Sequence, residues 1–348
     1  MTFDINQLLR SNIRDLKPYS SARDEFTGTA NVYLDANENS LGSPLTQWYN
    51  RYPDPLQTAV KEKLAAVKAV PAGNIFIGNG SDECIDILIR SFVEPGRENI
   101  LICPPTYGMY EVSAAINNVK VLEVPLTATF QLDLPAIEEA INPFTKIIFL
   151  CSPNNPTGNA LQRQEVEALL HNFDGLVVLD EAYINFSRHR SFTTQLEEFP
   201  NLVVLQTLSK AWGLAALRLG MAFADRAIIE VMNKVKPPYN INLPSQQLAL
   251  QALEEVGQVN DMIRELISQR AYLEKELPQL PVVLKVYPSE ANFLLVKVND
   301  PEGIYKKLLE KGIVVRNRSR LPLCEGCLRI TVGTAAENEQ LLQVLTQL

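Results

Sequence analysis

The sequence predicts an α/β protein, with one large domain on a mostly parallel central sheet covered by helices and a smaller α+β domain after it. Three observations carry this. Short apolar runs alternate with helical patterns from about residue 75 onward, the arrangement of βαβ units. The runs are continuously apolar rather than alternating, as strands buried on both faces must be. The chain, at 348 residues, is long for one small module and short for three domains.

The expected strands, in order, are NIFIGN, NILICPP, VKVLEVP, KIIFLCSP, LVVLDEA, LVVLQTL and RLGMAFA. After the first of them, residues 81–93 set Ile85, Leu88, Ile89 and Phe92 at helical spacing, with Ser81 as the expected cap and Asp82 and Glu83 in the first turn. Residues 244–277 read as one long connector helix, softly broken around Gly257. Strand-like LKVYPS, NFLLVKV and GIVVRN, a helix over 301–311, strand-like LRITVG and a final helix from about 335 complete the chain. The expected division is a large domain over 36–274, with residues 275–348 and an N-terminal arm over 1–35 making the small one.

Composition narrows the function. Hydrophobic residues at 46% and charged residues at 21% exclude a disordered, fibrous or membrane-spanning chain. A net charge of −8 argues against nucleic acid or an anionic membrane as the main partner. Only two histidines are present, His171 and His189, which nearly excludes a histidine zinc site or a Ser-His-Asp triad. No metal is expected. The cysteines number five, several in apolar runs, and CEGC at 324–327 has no second pair to complete a zinc site. Buried thiols and the lack of a signal-like N-terminus lead to an expectation of the cytoplasm.

Three features stand at or just after strand ends, where open α/β sheets place ligand sites. In SPNNPTG, Asn154 and Asn155 can donate amides to a ligand oxygen, or close an Asx-Pro turn. In LDEAYINF, Asp180 ends a fully apolar strand, where a carboxylate is costly unless it meets a cation or a donor; a helix N-cap is the other use. In LSKAWGLAALRLG, Lys210 follows Ser209 and precedes Arg218, and an amine beside apolar strand ends can become a nucleophile or can snorkel from a loop. Together these groups fit pyridoxal 5′-phosphate, which needs a lysine for its aldehyde, an acid for its ring nitrogen and a cradle for its phosphate.

YLDANENSLGSP, RYPDP, GNGSDECIDILIRSF, PPTYGMY, SPNNPTG, LDEAYINF, LSKAWGLAALRLG and GCLRITVGT occur in the order of one family. Through them the chain resembles the fold-type I pyridoxal-phosphate-dependent aminotransferases over nearly its whole length, and within these the histidinol-phosphate branch. The resemblance implies that Lys210 is the Schiff-base lysine, Asp180 the partner of the pyridine nitrogen, Asn155 and Tyr183 the pair on the ring's phenolic oxygen, and Tyr107 the aromatic stacked on the ring. It gives the cofactor phosphate to Ser81, Asp82, Ser209 and Arg218, with Tyr52 reaching it from the neighbouring subunit of a homodimer. It gives the substrate to Tyr19, Asn37, Arg316 and Arg329. The implied reaction passes the amino group of L-histidinol phosphate to 2-oxoglutarate, making glutamate. An aromatic or broad-range aminotransferase and a threonine-phosphate decarboxylase of the same branch fit the same residues. WGLAAL departs from the more Gly-rich or aromatic stretch of many relatives.

Overall fold

The computed structural model describes residues 4–19 and 30–348. Seven strands form the main sheet: β1 (Ile75–Asn79), β2 (Asn99–Ile102), β3 (Lys120–Glu123), β4 (Thr145–Cys151), β5 (Leu176–Asp180), β6 (Leu202–Thr207) and β7 (Leu219–Ala224), in the order β1-β7-β6-β5-β4-β2-β3. Each corresponds to an apolar run of the sequence. A second sheet, in the order β10-β11-β9-β8, contains β8 (Val283–Val286), β9 (Phe293–Val298), β10 (Arg316–Asn317) and β11 (Cys327–Thr331). The helices are α1 (Ile5–Leu8), α2 (Ser11–Arg14), α3 (Thr58–Lys68), α4 (Gly80–Phe92), α5 (Met109–Ile116), α6 (Leu134–Ala140), α7 (Arg163–Asn172), α8 (Arg226–Val235), α9 (Leu243–Ala252), α10 (Val256–Glu276), α11 (Pro301–Glu310) and α12 (Ala335–Thr346).

Strand periodicity divides the core. Ile148, Leu150, Val177, Leu179 and Val204 face one buried layer, while Ile147, Phe149, Leu176, Val178, Val203 and Leu205 face the other. Each fully buried aliphatic side chain stabilises the fold by about 1.5–3 kcal/mol, so a one-residue slip of any strand would be prohibitive. A separate core fills the small sheet, built from Leu294, Val296, Leu328 and Ile330 under Leu308 and Leu341.

One departure from a parallel sheet sets up the site. β7 runs antiparallel to both β6 and β1. The chain therefore leaves β6 and re-enters at β7 on the same sheet edge, and loop 208–218 with Lys210 stays above the carboxyl ends of β4, β5 and β6. β1 ends at that edge too, with Asn79 opposite Leu219.

Other expectations are corrected by packing. The long connector helix breaks earlier than Gly257: Leu253 closes α9 onto Ala249 and Glu255 leaves helical geometry. Gly257 lies in the first turn of α10. α10 links the two cores, with Val259 and Ile263 in the first and Leu273 in the small one. Residues 4–14 of the N-terminal arm pack on the large sheet's helical layer rather than with the small sheet. Leu8 joins Ile89 and Met232, Arg10 Nη1 donates to Arg90 O at 2.8 Å, and Lys234 Nζ donates to Ile13 O at 2.7 Å. Short helices with one apolar face go where an apolar helical surface is open to them.

Candidate active site

A pocket of about 260 Å³ opens over the carboxyl ends of β4, β5 and β6. Its floor follows from register: Cys151 lies opposite Asp180, and the loop after β6 brings Ser209 and Lys210 over them. Loop residues positioned on a rigid sheet edge are the usual makings of a site.

Asp180 is only 2% exposed. The Tyr110 hydroxyl donates to its Oδ2 at 2.9 Å and the Ala182 N–H to its Oδ1 at 3.0 Å. Burial pushes its pKa up to about 6, and these donors and Lys210 oppose the rise. Among the described residues it has no ion-pair partner, so a buried anion is held by donors and left open toward the pocket. Glu181, next along the chain, turns away and is satisfied by the Phe192 N–H at 2.8 Å and Gln206 Nε2 at 3.0 Å. The strand's alternation decides which acid of the DE pair is chemically available.

Tyr110 is fully buried, stacked on Phe149 at 4.9 Å and meeting the edge of Tyr107 at 5.6 Å. Tyr107 in turn donates to Asp82 Oδ1 at 3.0 Å. Sequence reading missed Tyr110, although it follows Tyr107 by three residues, in the first turn of α5.

The amino end of α4 forms the next wall. Ser81 is not its cap: the helix begins at Gly80 after Asn79, whose side chain makes no capping bond. The Gly80 N–H donates to Arg218 O at 2.7 Å, the N–H groups of Ser81 and Asp82 after it are left for a ligand, and an anion is favoured there by the helix dipole. Gly80 has φ +74°, and a Cβ on it would stand 2.7 Å from Arg218 Nη2. A Cβ on Gly220 would lie 2.1 Å from the Ser81 nitrogen. These glycines let β7 and Arg218 close against the helix end. Arg218 Nη2 lies 3.4 Å from Asp82 Oδ2.

Opposite, Arg329 Nη1 donates to Asn155 Oδ1 at 2.5 Å, and Asn155 Nδ2 donates to the Tyr183 hydroxyl at 3.5 Å. Tyr183 stands edge-on to Phe293 at 5.1 Å. Asn154 is not a ligand donor: it is 1% exposed and its amide ties Pro105 O at 2.8 Å to Thr157 Oγ1 at 2.7 Å. Burial, and then the Arg329 guanidinium, lower the pKa of Lys210, while Asp180 and Asp82 raise it. Its Nζ is 5.8 Å from the centre of the Tyr183 ring. Arg316 lines the pocket, as does Arg318, which the sequence did not single out.

Ser81, Asp82, Tyr107, Asn155, Asp180, Tyr183, Ser209, Lys210, Arg218, Arg316 and Arg329 thus surround one space. Three expected residues do not line it. Tyr19 is 75% exposed. Asn37 and Tyr52 line a separate pocket, where Tyr52 stacks on Tyr239 at 4.4 Å. The segment carrying them is held by its own contacts, with Glu38 accepting from the Tyr52 N–H at 2.7 Å and pairing with Arg51. Both histidines lie elsewhere, His171 against Phe199 and His189 beside Glu290.

The pocket fits pyridoxal phosphate on its own terms. A buried carboxylate open to a cation answers a protonated ring nitrogen, free helix-end N–H groups beside Arg218 answer a phosphate, and an amine of lowered pKa answers an aldehyde.

The family of aminotransferases class I and II matches residues 26–345. A histidinol-phosphate aminotransferase of Cytophaga hutchinsonii is 55% identical over 345 residues, 99% of each chain, and that of Parabacteroides distasonis is 53% identical over 342 residues, 98% of each. The solved histidinol-phosphate aminotransferase of Sinorhizobium meliloti in complex with pyridoxal-5′-phosphate superposes with a TM-score of 0.79 over 85% of this chain and 82% of its own, and at 24% identity it shows a shared fold. This chain belongs to the class I and II aminotransferases.

Proposed function

We infer that this chain is a histidinol-phosphate aminotransferase of histidine biosynthesis, passing the amino group of L-histidinol phosphate to 2-oxoglutarate to yield 3-(imidazol-4-yl)-2-oxopropyl phosphate and L-glutamate. The observation that carries it is the pairing, in one pocket, of an amine of lowered pKa with a buried carboxylate that lacks a cation. The relatives at 50–55% identity, spanning essentially the whole chain, bear this name.

Pyridoxal phosphate, when bound, supplies the aldehyde that takes up the amino group and the ring that draws electrons from the substrate's α-carbon. The protein's residues do the rest. Lys210 Nζ would hold the cofactor between turnovers and, once released, would be the base for the proton on the substrate's α-carbon. Asp180 holds the ring nitrogen protonated. Asn155 and Tyr183 would donate to the phenolic oxygen, and Tyr107 would supply an aromatic wall for the ring. The N–H groups of Ser81 and Asp82, with Ser209 and Arg218, hold the cofactor phosphate. Arg329 and Arg316 receive the substrate anion, whose form alternates between phosphate and carboxylate, a change their fork geometry allows.

A homodimer completes the site. Leu34, Leu41 and Trp48 are 83%, 91% and 63% exposed in one chain, an apolar stretch that a second copy would cover. The same segment carries Asn37 and Tyr52, so Tyr52 would reach the neighbour's cofactor phosphate from there, and Tyr19 and Asn37 its substrate. A cofactor-binding domain over 36–274 is supported by the seven-stranded sheet it contains, and a small domain over 275–348, to which the sequence reading joins the arm over 1–35, by the four-stranded one. All five cysteines are free, which fits the cytoplasm.

The test is a substrate panel on purified protein. Histidinol phosphate is expected to be transaminated with 2-oxoglutarate far faster than phenylalanine, with no decarboxylation of threonine phosphate. Borohydride should bleach the visible absorbance and leave the label on Lys210. A Lys210→Ala protein with wild-type turnover would end this reading.

A further inference from the structure

Arg316 pairs with Arg329 across the β10–β11 ladder. The extended chain continues through Arg318, whose N–H donates to Cys327 O at 2.9 Å. Side chains two apart on extended chain emerge on one face. The 316–318 stretch therefore delivers two guanidinium groups to the pocket, while Asn317 turns away to Glu302 Oε2 at 2.7 Å.

Several arginines elsewhere in the fold are matched by carboxylates, Arg51 by Glu38, Arg188 by Glu290 and Arg270 by Glu274. Among the described residues, Arg318 has no ion-pair partner and its Nε is enclosed without a hydrogen bond. Leaving a half-buried cation uncompensated is costly unless an anion arrives. The pocket carries five cationic side chains against the two carboxylates Asp82 and Asp180. Arg218 is taken by Asp82 and the helix end and Lys210 by the chemistry, while Arg329 spends Nη1 on Asn155 and keeps its other nitrogens for the substrate anion. Arg316 and Arg318 stand beside it without a carboxylate. One fork satisfies a carboxylate, whereas the three outer oxygens of a phosphate ester can accept from two.

We propose that Arg318 is a specificity-determining residue, gripping together with Arg316 the phosphate of a phosphorylated amine substrate and so favouring it over substrates with a single carboxylate. This rests on the function inferred above and adds a residue to it. Nothing in the RNRSR run reveals the role, since only the β11 ladder turns Arg318 inward.

The test compares wild-type, Arg318→Gln and Arg318→Lys holoenzymes in three measurements: kcat and KM for L-histidinol phosphate, the affinity for inorganic sulfate by calorimetric titration, and the cofactor absorbance with the melting curve. Arg318→Gln is expected to raise KM about tenfold or more, the low end for a lost charge-assisted hydrogen bond. Sulfate affinity falls with it, kcat stays within about twofold, absorbance is unchanged, and melting does not fall because the neutral side chain relieves an uncompensated cation; Arg318→Lys recovers part of the loss because it keeps the charge without the fork. Unchanged KM and sulfate affinity overturn the proposal. So does a fall in kcat with shifted absorbance, which would mean that Arg318 acts through the neighbouring Tyr183. If the wild type does not turn over histidinol phosphate, the functional reading fails, and the sulfate titration still decides whether Arg318 binds a dianion.

Discussion

Replacing Tyr110 by Phe removes one oxygen from a fully enclosed site. The ring stays stacked on Phe149 at 4.9 Å, so the core remains filled, but Asp180 Oδ2 loses the donor at 2.9 Å. A hydrogen bond to a charged group contributes about 1.5–3 kcal/mol, and 1.36 kcal/mol corresponds to one pKa unit, so the carboxyl moves up by roughly one to two units. The direction follows from which form the bond favours. Tyr110 stabilises the anion, in the proposed function Asp180 must be the anion to keep the ring nitrogen protonated, and activity should therefore fall as pH falls through the pKa of Asp180. Burial, even opposed by the Tyr110 and Ala182 donors, holds that pKa near 6, so losing one of those donors carries the acid limb toward neutrality. The bound ring cation lowers both limbs alike, which makes their separation the quantity to read. The assay is kcat/KM against pH for both proteins, with the cofactor dissociation constant from fluorescence titration, which should weaken about tenfold. Superimposable pH profiles and equal cofactor affinity would refute the assignment of Tyr110 as a positioning residue for Asp180.

Two further outcomes follow from the same geometry. Asp180 binds its proton more tightly folded, near pKa 6, than at its ordinary value of 3.8, so its ionisation destabilises the cofactor-free fold by about 3 kcal/mol above pH 6 and by nothing below pH 4. Asp180→Asn should thus raise the melting temperature of cofactor-free protein at pH 8, leave it unchanged at pH 4, and abolish turnover of the holoenzyme; equal melting at pH 8 would contradict the cost assigned to burial. Mixing Tyr52→Ala with Lys210→Ala subunits should restore turnover that neither variant has in full, since each heterodimer would contain one site with both residues intact. Absence of any gain on mixing would place Tyr52 outside the neighbour's site.

Much of this protein is local and was legible without a structure. Continuous apolar runs such as KIIFL and LVVL specify strands buried on both faces, because no other element hides four or five consecutive aliphatic residues so cheaply. Asp180 and Lys210 were readable because a charged group at the end of such a run must be accounted for. Contacts between distant segments were not legible. Asn154 and Asn155 are identical neighbours in sequence, yet one closes the loop against Pro105 and the other faces Arg329. Asp180 and Glu181 are likewise separated only by the alternation of β5 over a sheet whose two sides differ. The antiparallel entry of β7, the packing of the N-terminal arm on α4 and α8, the buried bond from Tyr110 to Asp180 and the inward turn of Arg318 all depend on which surfaces meet. Periodicity and end chemistry are properties of a few adjacent residues, so the sequence by itself determined the elements and the acids and bases at their ends. Partnership is a property of the closed core, so only the tertiary structure decided which of those groups share a pocket and which are spent on holding it together.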